Sequence, residues 1–384
     1  MNENSKVFLG KKRNAESPIE SNEKTHNNII INNDKKNKEK EIITLNYHSH
    51  WVNKILILKK QPNHNLISSS ADGLIIVYDN YPKYNPVLKM ALFGESGVID
   101  LTELKDGTII ACSFAAIKQI IIIYDKINNS YNYEVMNYIV ICSSYISKCI
   151  ELINEDLLCI SQQNIIIILK KFKEDENVLN NGYTYKIKET IELLKNELCI
   201  NILQITEQLF ISCHITNPKY DLSEYKTSTN NLNCIKFYDN NFNYIKRISK
   251  IYATKWQNNM MKLNEKYVIV GVEVCTSDIN WNNKKGIALI NYNYLEFVSF
   301  YETDYQISSM TFYDNNLFFG DDKGFLLKYK LDEQEIILQN KKRIHLYNIS
   351  TLEYDLIFDL ELKKINFILL TGSNDQTIKI SNDL

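Results

Sequence analysis

His48–Asp79, HSHWVNKILILKKQPNHNLISSSADGLIIVYD, is the stretch that decides the fold. It holds three apolar runs separated by turn residues. The first, Val52 to Leu58, keeps Val52, Ile55 and Ile57 apolar; Gln61 to Asn65 breaks it with a proline, and Leu66 to Ser70 begins the second. Asp72-Gly73 supplies a tight turn, and Leu74 to Tyr78 forms a third run that closes at Asp79. The pattern predicts strand, loop, strand, turn, strand. So small a sheet cannot cover both of its faces alone, so the chain should contain further copies that pack against it.

Six further units follow. The second takes Val98 to Leu104, Thr108 to Phe114 and Gln119 to Asp125, with Lys105-Asp106-Gly107 as its turn. The third takes Ile146 to Leu152, Leu157 to Gln162 and Asn164 to Lys170; the fourth takes Leu198 to Ile205, Leu209 to Ile215 and Cys234 to Asp239. Asn259 to Leu263, Tyr267 to Val274 and Gly286 to Asn291 make the fifth, and Ile307 to Tyr313, Leu317 to Gly320 and Phe325 to Tyr329 the sixth. The seventh begins near His345 and uses Ile349 to Leu356, Phe367 to Ser373 and Thr377 to Ser381. Starts at Val52, Val98, Ile146, Ile200, Met260, Ile307 and Ile349 stand 42 to 60 residues apart, near the ~40 to 45 of a four-stranded repeat unit. The period stretches where His214 to Asn233 and Cys275 to Lys285 are inserted between a second and a third strand. Glycine is scarce, at 11 residues, and asparagine pairs such as Asn128-Asn129 and Asn240-Asn241 serve the turns instead, since asparagine tolerates positive φ.

The first unit resembles a WD repeat. The likeness lies in Tyr47-His48, in Val52 four residues after that histidine, in the serine-rich second strand, in Asp72-Gly73, and in Tyr78-Asp79 where the namesake Trp-Asp would stand. It implies an all-β, seven-bladed β-propeller closed by pairing of an N-terminal strand, Glu41 to Tyr47, with the last blade, which otherwise stops after three strands. Blades are expected near 48–95, 96–141, 142–195, 196–250, 251–304, 305–343 and 344–384 plus 41–47. The resemblance also implies a buried hydrogen-bonded brace in the first blade, made by His48, a serine among Ser68 to Ser70 (taken as Ser70), Asp72 and Tyr78. In the last blade His345, Ser373 and Asp375 match, with Ser381 in place of the ring. A histidine, a serine and an aspartate together invite comparison with a catalytic triad, but in this family the matching groups tie strands to a turn.

The 384 residues are 45% hydrophobic and 23% charged, enough apolar content for a large core, with a formal net charge of -2. Residues 1–40 are polar and mixed in charge, and are expected to form a disordered tail. The only arginines are Arg13, Arg247 and Arg343, which argues against direct binding of nucleic acid, where the planar guanidinium fork does most of the recognition. None of the eight cysteines forms a Cys-x-x-Cys pair, so free thiols in a reducing compartment are expected. The amino terminus lacks an apolar signal region, and no apolar run reaches the ~18 residues a membrane span needs. Lys11-Lys12-Arg13 is short for a nuclear address. The expectation is an intracellular protein, cytoplasmic rather than nuclear, with no membrane association.

No Gly-x-Ser-x-Gly, phosphate-binding glycine loop or His-Glu-x-x-His occurs, so no catalytic, metal or cofactor-binding residues are expected. Asp278, Asn280 and Asn282 alternate like the opening of a calcium loop, but Asn283 and Leu289 stand where glycine and the bidentate glutamate belong. Asp321-Asp322 reads as a solvated corner. The aromatic residues Trp51, Tyr220, Tyr225, Trp256 and Trp281 lie in insertions or blade-to-blade connections, which in WD-like propellers share one face. Tryptophan and tyrosine there suit partner binding. The expected function is a non-enzymatic scaffold or adaptor that binds protein or peptide partners within a multi-subunit complex. The alternatives are a propeller subunit of an RNA- or chromatin-associated machine, and a propeller-fold hydrolase working through His48 and His345 at the channel mouth.

Overall fold

The computed structural model describes residues 42–60, 64–80, 82–173, 183–193, 197–216, 233–248, 251–275, 283–332, 335–359 and 364–381. The expected tail at 1–40 lies outside them, as do Tyr220, Tyr225, Trp281, Asp278, Asn280 and Asn282. Every described element is a strand or a turn, and every strand pair is antiparallel, the pairing that short turns between consecutive strands allow.

The opening stretch folds into β2 (Val52–Ile57), β3 (Leu66–Ser70), β4 (Ile75–Tyr78) and β5 (Pro86–Met90), hydrogen-bonded in that order. A seven-stranded sheet follows: β6 (Asp100–Glu103), β7 (Ile109–Cys112), β8 (Phe114–Asp125), β9 (Ser130–Glu151), β10 (Leu157–Ser161), β11 (Ile165–Lys173) and β12 (Tyr183–Glu192). Next come the sheets β13 (Glu197–Thr206), β14 (Leu209–Thr216), β15 (Cys234–Asp239), β16 (Tyr244–Ile248), and β17 (Ile251–Ala253), β19 (Tyr267–Cys275), β20 (Asn283–Asn291), β21 (Glu296–Thr303). In the latter, β18 (Met260–Lys262) also pairs with β19. The sixth unit is β22 (Ile307–Tyr313), β23 (Asn316–Asp321), β24 (Phe325–Asp332), β25 (Glu335–Arg343). In the last sheet, β26 (Ile349–Asp359), β27 (Lys364–Ser373) and β28 (Ile378–Ser381) are joined by β1 (Ile42–Leu45), with Ile43 opposite Ile380. The architecture is all-β, built of small antiparallel sheets in a propeller-like arrangement.

The second and third strands read as continuous apolar runs because both of their faces are covered: β3, β4 and β10 are buried at every position. Side chains of one sheet fill the gap to the next. Leu58, Ile67, Val77 and Met90 pack with Val98, Ile109 and Ile120, while Val52, Ile55 and Ile76 pack with Leu45, Ile368, Leu370 and Ile378. Full burial of each such side chain contributes about 1.5–3 kcal/mol.

The first strands share a local irregularity that joins the sheets. Pairing skips one residue at Asn53, Ser308 and Ser350, leaving each side chain free to reach sideways. Asn53 Nδ2 donates to the Val98 carbonyl at 2.9 Å, and Ser308 Oγ to that of Ile349 at 2.7 Å. Ser350 Oγ donates to the Val52 carbonyl, and the Ile55 amide donates to Thr351 Oγ1 at 3.4 Å, so the last and first sheets are bonded directly.

Four sequence expectations differ from what is found. The boundary placed at 141–142 falls inside β9, whose early part pairs with β8 and whose late part, from Ile146, pairs with β10. The fifth unit's first strand begins earlier than Asn259, at β17, and is interrupted by Thr254–Asn259. Asp321 is no solvated corner: it is 1% exposed, and its Oδ1 accepts the amides of Lys323 and Phe325, both at 2.9 Å. Burial raises its carboxyl to about 6, against the pull of those two amides. The fourth strands of the first six units are likewise not anticipated, because an outer strand such as β16, with Tyr244 58% and Ile245 44% exposed, carries no clean apolar period, whereas β1, the outer strand of the last sheet, lies within the expected Glu41 to Tyr47.

A candidate docking face and its hydrogen-bonded braces

At one end of the first sheet, the loop before β2 folds over the turn between β3 and β4. His48 Nδ1 donates to Asp72 Oδ2 at 2.9 Å, its Nε2 lies 2.7 Å from Ser68 Oγ, and Ser68 Oγ lies 3.1 Å from the Tyr78 hydroxyl. A single proton order satisfies all four groups: Tyr78 donates to Ser68, Ser68 to the neutral imidazole, and the imidazole to the carboxylate. Asp72 also accepts the amides of Ser49 at 3.0 Å and Leu74 at 2.9 Å. Burial alone would push its carboxyl up, but the bonds from His48, Leu74 and Ser49 outweigh this and hold it at about 2.

The serine taken as Ser70 is therefore Ser68. Side chains two apart on a strand share a face, so the sequence alone does not separate them. Ser70 instead donates from Oγ to the His50 carbonyl at 3.1 Å and accepts the Asp72 amide at 3.1 Å, closing the turn from the other side. The last sheet repeats the arrangement and the same shift. His345 bonds Asp375 at 2.9 Å and Thr371 at 2.7 Å, whereas Ser373 accepts the Asp375 amide at 3.1 Å. Ile380 pairs with Leu370 as Val77 pairs with Ile67, so Ser381, the next residue, stands where Tyr78 does and brings no ring.

The fourth unit holds a cluster that sequence reasoning missed. Ser212 and Tyr238 sit at the strand positions of Ser68 and Tyr78, but the histidine, His214, has moved from the loop into the second strand. Its Nε2 lies 2.7 Å from Ser212 Oγ, its Nδ1 lies 3.6 Å from Glu197 Oε2, and Lys236 bonds Glu197 at 2.5 Å. Serine, histidine and glutamate follow one another as in a hydrolytic triad, but 3.6 Å is too long for a hydrogen bond and His214 Nδ1 is buried without a partner. In addition, Ser212 and His214 are 0% and Glu197 3% exposed, so no substrate reaches the hydroxyl. Burial, with Lys236 adding to it, drops the His214 pKa to about 3, leaving a neutral imidazole. The cluster braces β13, β14 and β15. Among the described residues no group of three histidine, cysteine or carboxylate side chains is placed to hold a metal.

The same strand ends carry exposed apolar side chains. Trp51, 49% exposed, precedes β2, and the Ala71 amide donates to its carbonyl at 2.9 Å. Phe114 and Tyr145, 47% and 38% exposed, stack edge to face with centroids 5.1 Å apart. Leu346 and Tyr347, 70% and 62% exposed, follow His345 as Ser49 and His50 follow His48. Trp256 is only half-buried, with its Nε1 donating to Gln306 Oε1 at 3.1 Å and the Lys255 ammonium over its ring. It sits in the interruption of the fifth unit's first strand rather than in a free connection.

No protein-family model matches the chain, and no curated protein matches it in sequence. Solved structures do match in shape. A chain of the structure titled "Crystal Structure of Mitotic Checkpoint Complex" aligns with a TM-score of 0.61 at 11% identity, covering 100% of this chain and 99% of that one. The WD40 β-propeller domain of Doa1 aligns at 0.60 and 10% identity, covering 90% and 98%. A computationally designed protein, Ika8, aligns at 0.51 and 11% identity, covering 88% and 97%. At such low identity the likeness shows the fold alone: this chain is distantly similar in structure to WD40-like β-propellers.

Proposed function

We propose that the chain is a seven-unit, WD-like propeller whose ring is closed by β1, and that it acts as a non-enzymatic scaffold. It binds a protein or peptide partner on the face that carries Trp51. Splitting the long β9 between its two partners turns six sheets into seven four-stranded units, and the bonds from Ser350 and Thr351 to the first sheet support closure. The observation that carries the function is the exposure of Trp51, Phe114, Tyr145, Leu346 and Tyr347 at one set of strand ends. Rigid aromatic groups on braced loops bind with little loss of conformational freedom. Trp256 contributes its exposed edge; Tyr220, Tyr225 and Trp281 lie outside the described residues.

The test is affinity capture from the source cell with intact protein and with the double variant Trp51→Ala, Tyr347→Ala. We expect the dominant co-purifying partner to be lost while the melting temperature stays within a few degrees. Retention of that partner by the double variant refutes the assignment of this face.

A further inference from the structure

We infer, on the closed ring proposed above, that residues 254–258 form a strap that shuts the central channel at the Trp51 end, so that a partner docked on that face lies over the mouth and does not enter it. In the fifth unit Ala253 pairs with Val272 and Met260 with Val270, so residues 254–259 all stand opposite Gly271 alone. Asn259 pins the base of the excursion: its carbonyl accepts the Gly271 amide at 2.7 Å, and its Nδ2 donates to Thr254 Oγ1 at 2.7 Å. The residues left over have one way out. One edge of the strand is taken by β19, and Met260 and Met261 pack into separate apolar clusters on its two faces, which leaves the edge that faces the axis of a ring.

The hydrogen bonds follow that path. Asn258 precedes the residue opposite Gly271 as Ser308 and Ser350 precede those opposite Gly320 and Gly372. Ser308 and Ser350 each reach only the next unit, at the Ile349 and Val52 carbonyls, but Asn258 Nδ2 reaches beyond the sixth unit and donates to the Ser350 carbonyl of the seventh at 2.9 Å. From the other side Lys148 Nζ of the third unit reaches beyond the fourth to the Gln257 carbonyl, 3.5 Å away. Asn258 also bridges to Ser309, and Trp256 Nε1 donates to Gln306 Oε1 at 3.1 Å, both at the start of the sixth unit. A segment rooted in the fifth unit that touches the third, sixth and seventh lies across the channel and not along its wall. Beside it a polar chain runs through three units: Lys148 Nζ donates to Asn201 Oδ1 at 2.6 Å, and Asn201 Nδ2 to Asn259 Oδ1 at 3.2 Å, with both asparagines fully buried. Burial, with Lys54 adding to it, lowers the Lys148 ammonium to about 8 against the pull of Asp100. In an open, water-filled channel it would titrate near the ordinary ~10.4.

The experiment deletes residues 254–258, which sets Asn259 opposite Gly271 in an unbroken strand, and follows the Lys148 ε-carbon by NMR through a pH titration. In wild type it should titrate near 8; in the deletion chain it should move toward ~10.4, at least about tenfold weaker as an acid, while the Val270 and Val272 amides stay protected from exchange. Trp256→Ala with Asn258→Ala, which removes the two side-chain anchors of the strap, should move it the same way by about threefold or more, and this variant decides if the deletion chain does not fold. A wild-type Lys148 that titrates as an exposed lysine, no change in a folded deletion chain, or no change in the double variant when the deletion chain does not fold overturns the strap. The docking variant at Trp51 and Tyr347 should leave Lys148 unchanged, and Leu45→Ala reads ring closure through stability, so failure of the strap is distinguishable from failure of the docking face or of the ring.

Discussion

Replacing Asp72 by alanine removes the one group on which three donors of the first sheet converge. The carboxylate accepts His48 Nδ1, the Ser49 amide and the Leu74 amide at 2.9, 3.0 and 2.9 Å. Hydrogen bonds to a charged acceptor contribute about 1.5–3 kcal/mol each, but three that share one carboxylate do not add fully, so Asp72→Ala should cost about 3–4 kcal/mol. Asp72→Asn keeps an oxygen and loses the charge. A fall from 3.8 to about 2 corresponds to at most about 2.4 kcal/mol, and roughly 1–2 after allowance for solvent at the turn. Because the folded carboxyl lies below its ordinary value, this contribution is whole above pH ~4 and drains away as pH falls toward ~2. Urea unfolding of wild type and both variants, repeated from neutral to acid pH, reads the effect; amide exchange at Ser49 and Leu74 should accelerate in the alanine variant. A cost below about 1 kcal/mol for Asp72→Ala, or a wild-type-to-asparagine gap that does not narrow in acid, would refute the brace.

Two glycines with positive φ should respond differently to alanine. At Gly324, with φ +83°, a Cβ would sit 2.2 Å from the His345 carbonyl oxygen, whereas at Gly94, with φ +63°, it would meet nothing within 4 Å. Gly324→Ala should therefore cost more than about 3 kcal/mol and Gly94→Ala only about 1, as read by thermal unfolding; equal shifts would contradict the close approach. Leu45 tests closure. It is 5% exposed and packs with Val52, Ile368 and Ile378, so Leu45→Ala should cost about 2–4 kcal/mol, whereas a change under about 0.5 would mean that β1 is not held in the last sheet.

Much of the first sheet could be read directly from its residues. Strands with both faces covered declare themselves as unbroken apolar runs, and Asp72-Gly73 marks its turn because few other pairs tolerate it. His48, Asp72 and Tyr78 could be named from spacing, but the choice between Ser68 and Ser70 could not, since alternation places both on one face. Outer strands such as β16 escaped that reading because successive residues on both faces are exposed, which leaves no alternation. The start of the third unit's first strand at Ile146 could be read, and it is where β9 changes partner, but the continuity of one strand across both units could not, because a strand that changes partners midway changes nothing in its sequence.

What the residues determined by themselves is local: strand length, turn chemistry and the repeat period, all set by neighbours a few positions away. Tertiary structure alone decided which polar groups meet outside the repeat's own pattern. Glu197, Ser212, His214 and Lys236 come from three strands of the fourth unit, and Lys148, Asn201 and Asn259 from three separate units. No spacing encodes such groupings, because the distances between these side chains follow from how strands and sheets pack side by side, and that packing is fixed by the interdigitated core rather than by any one segment.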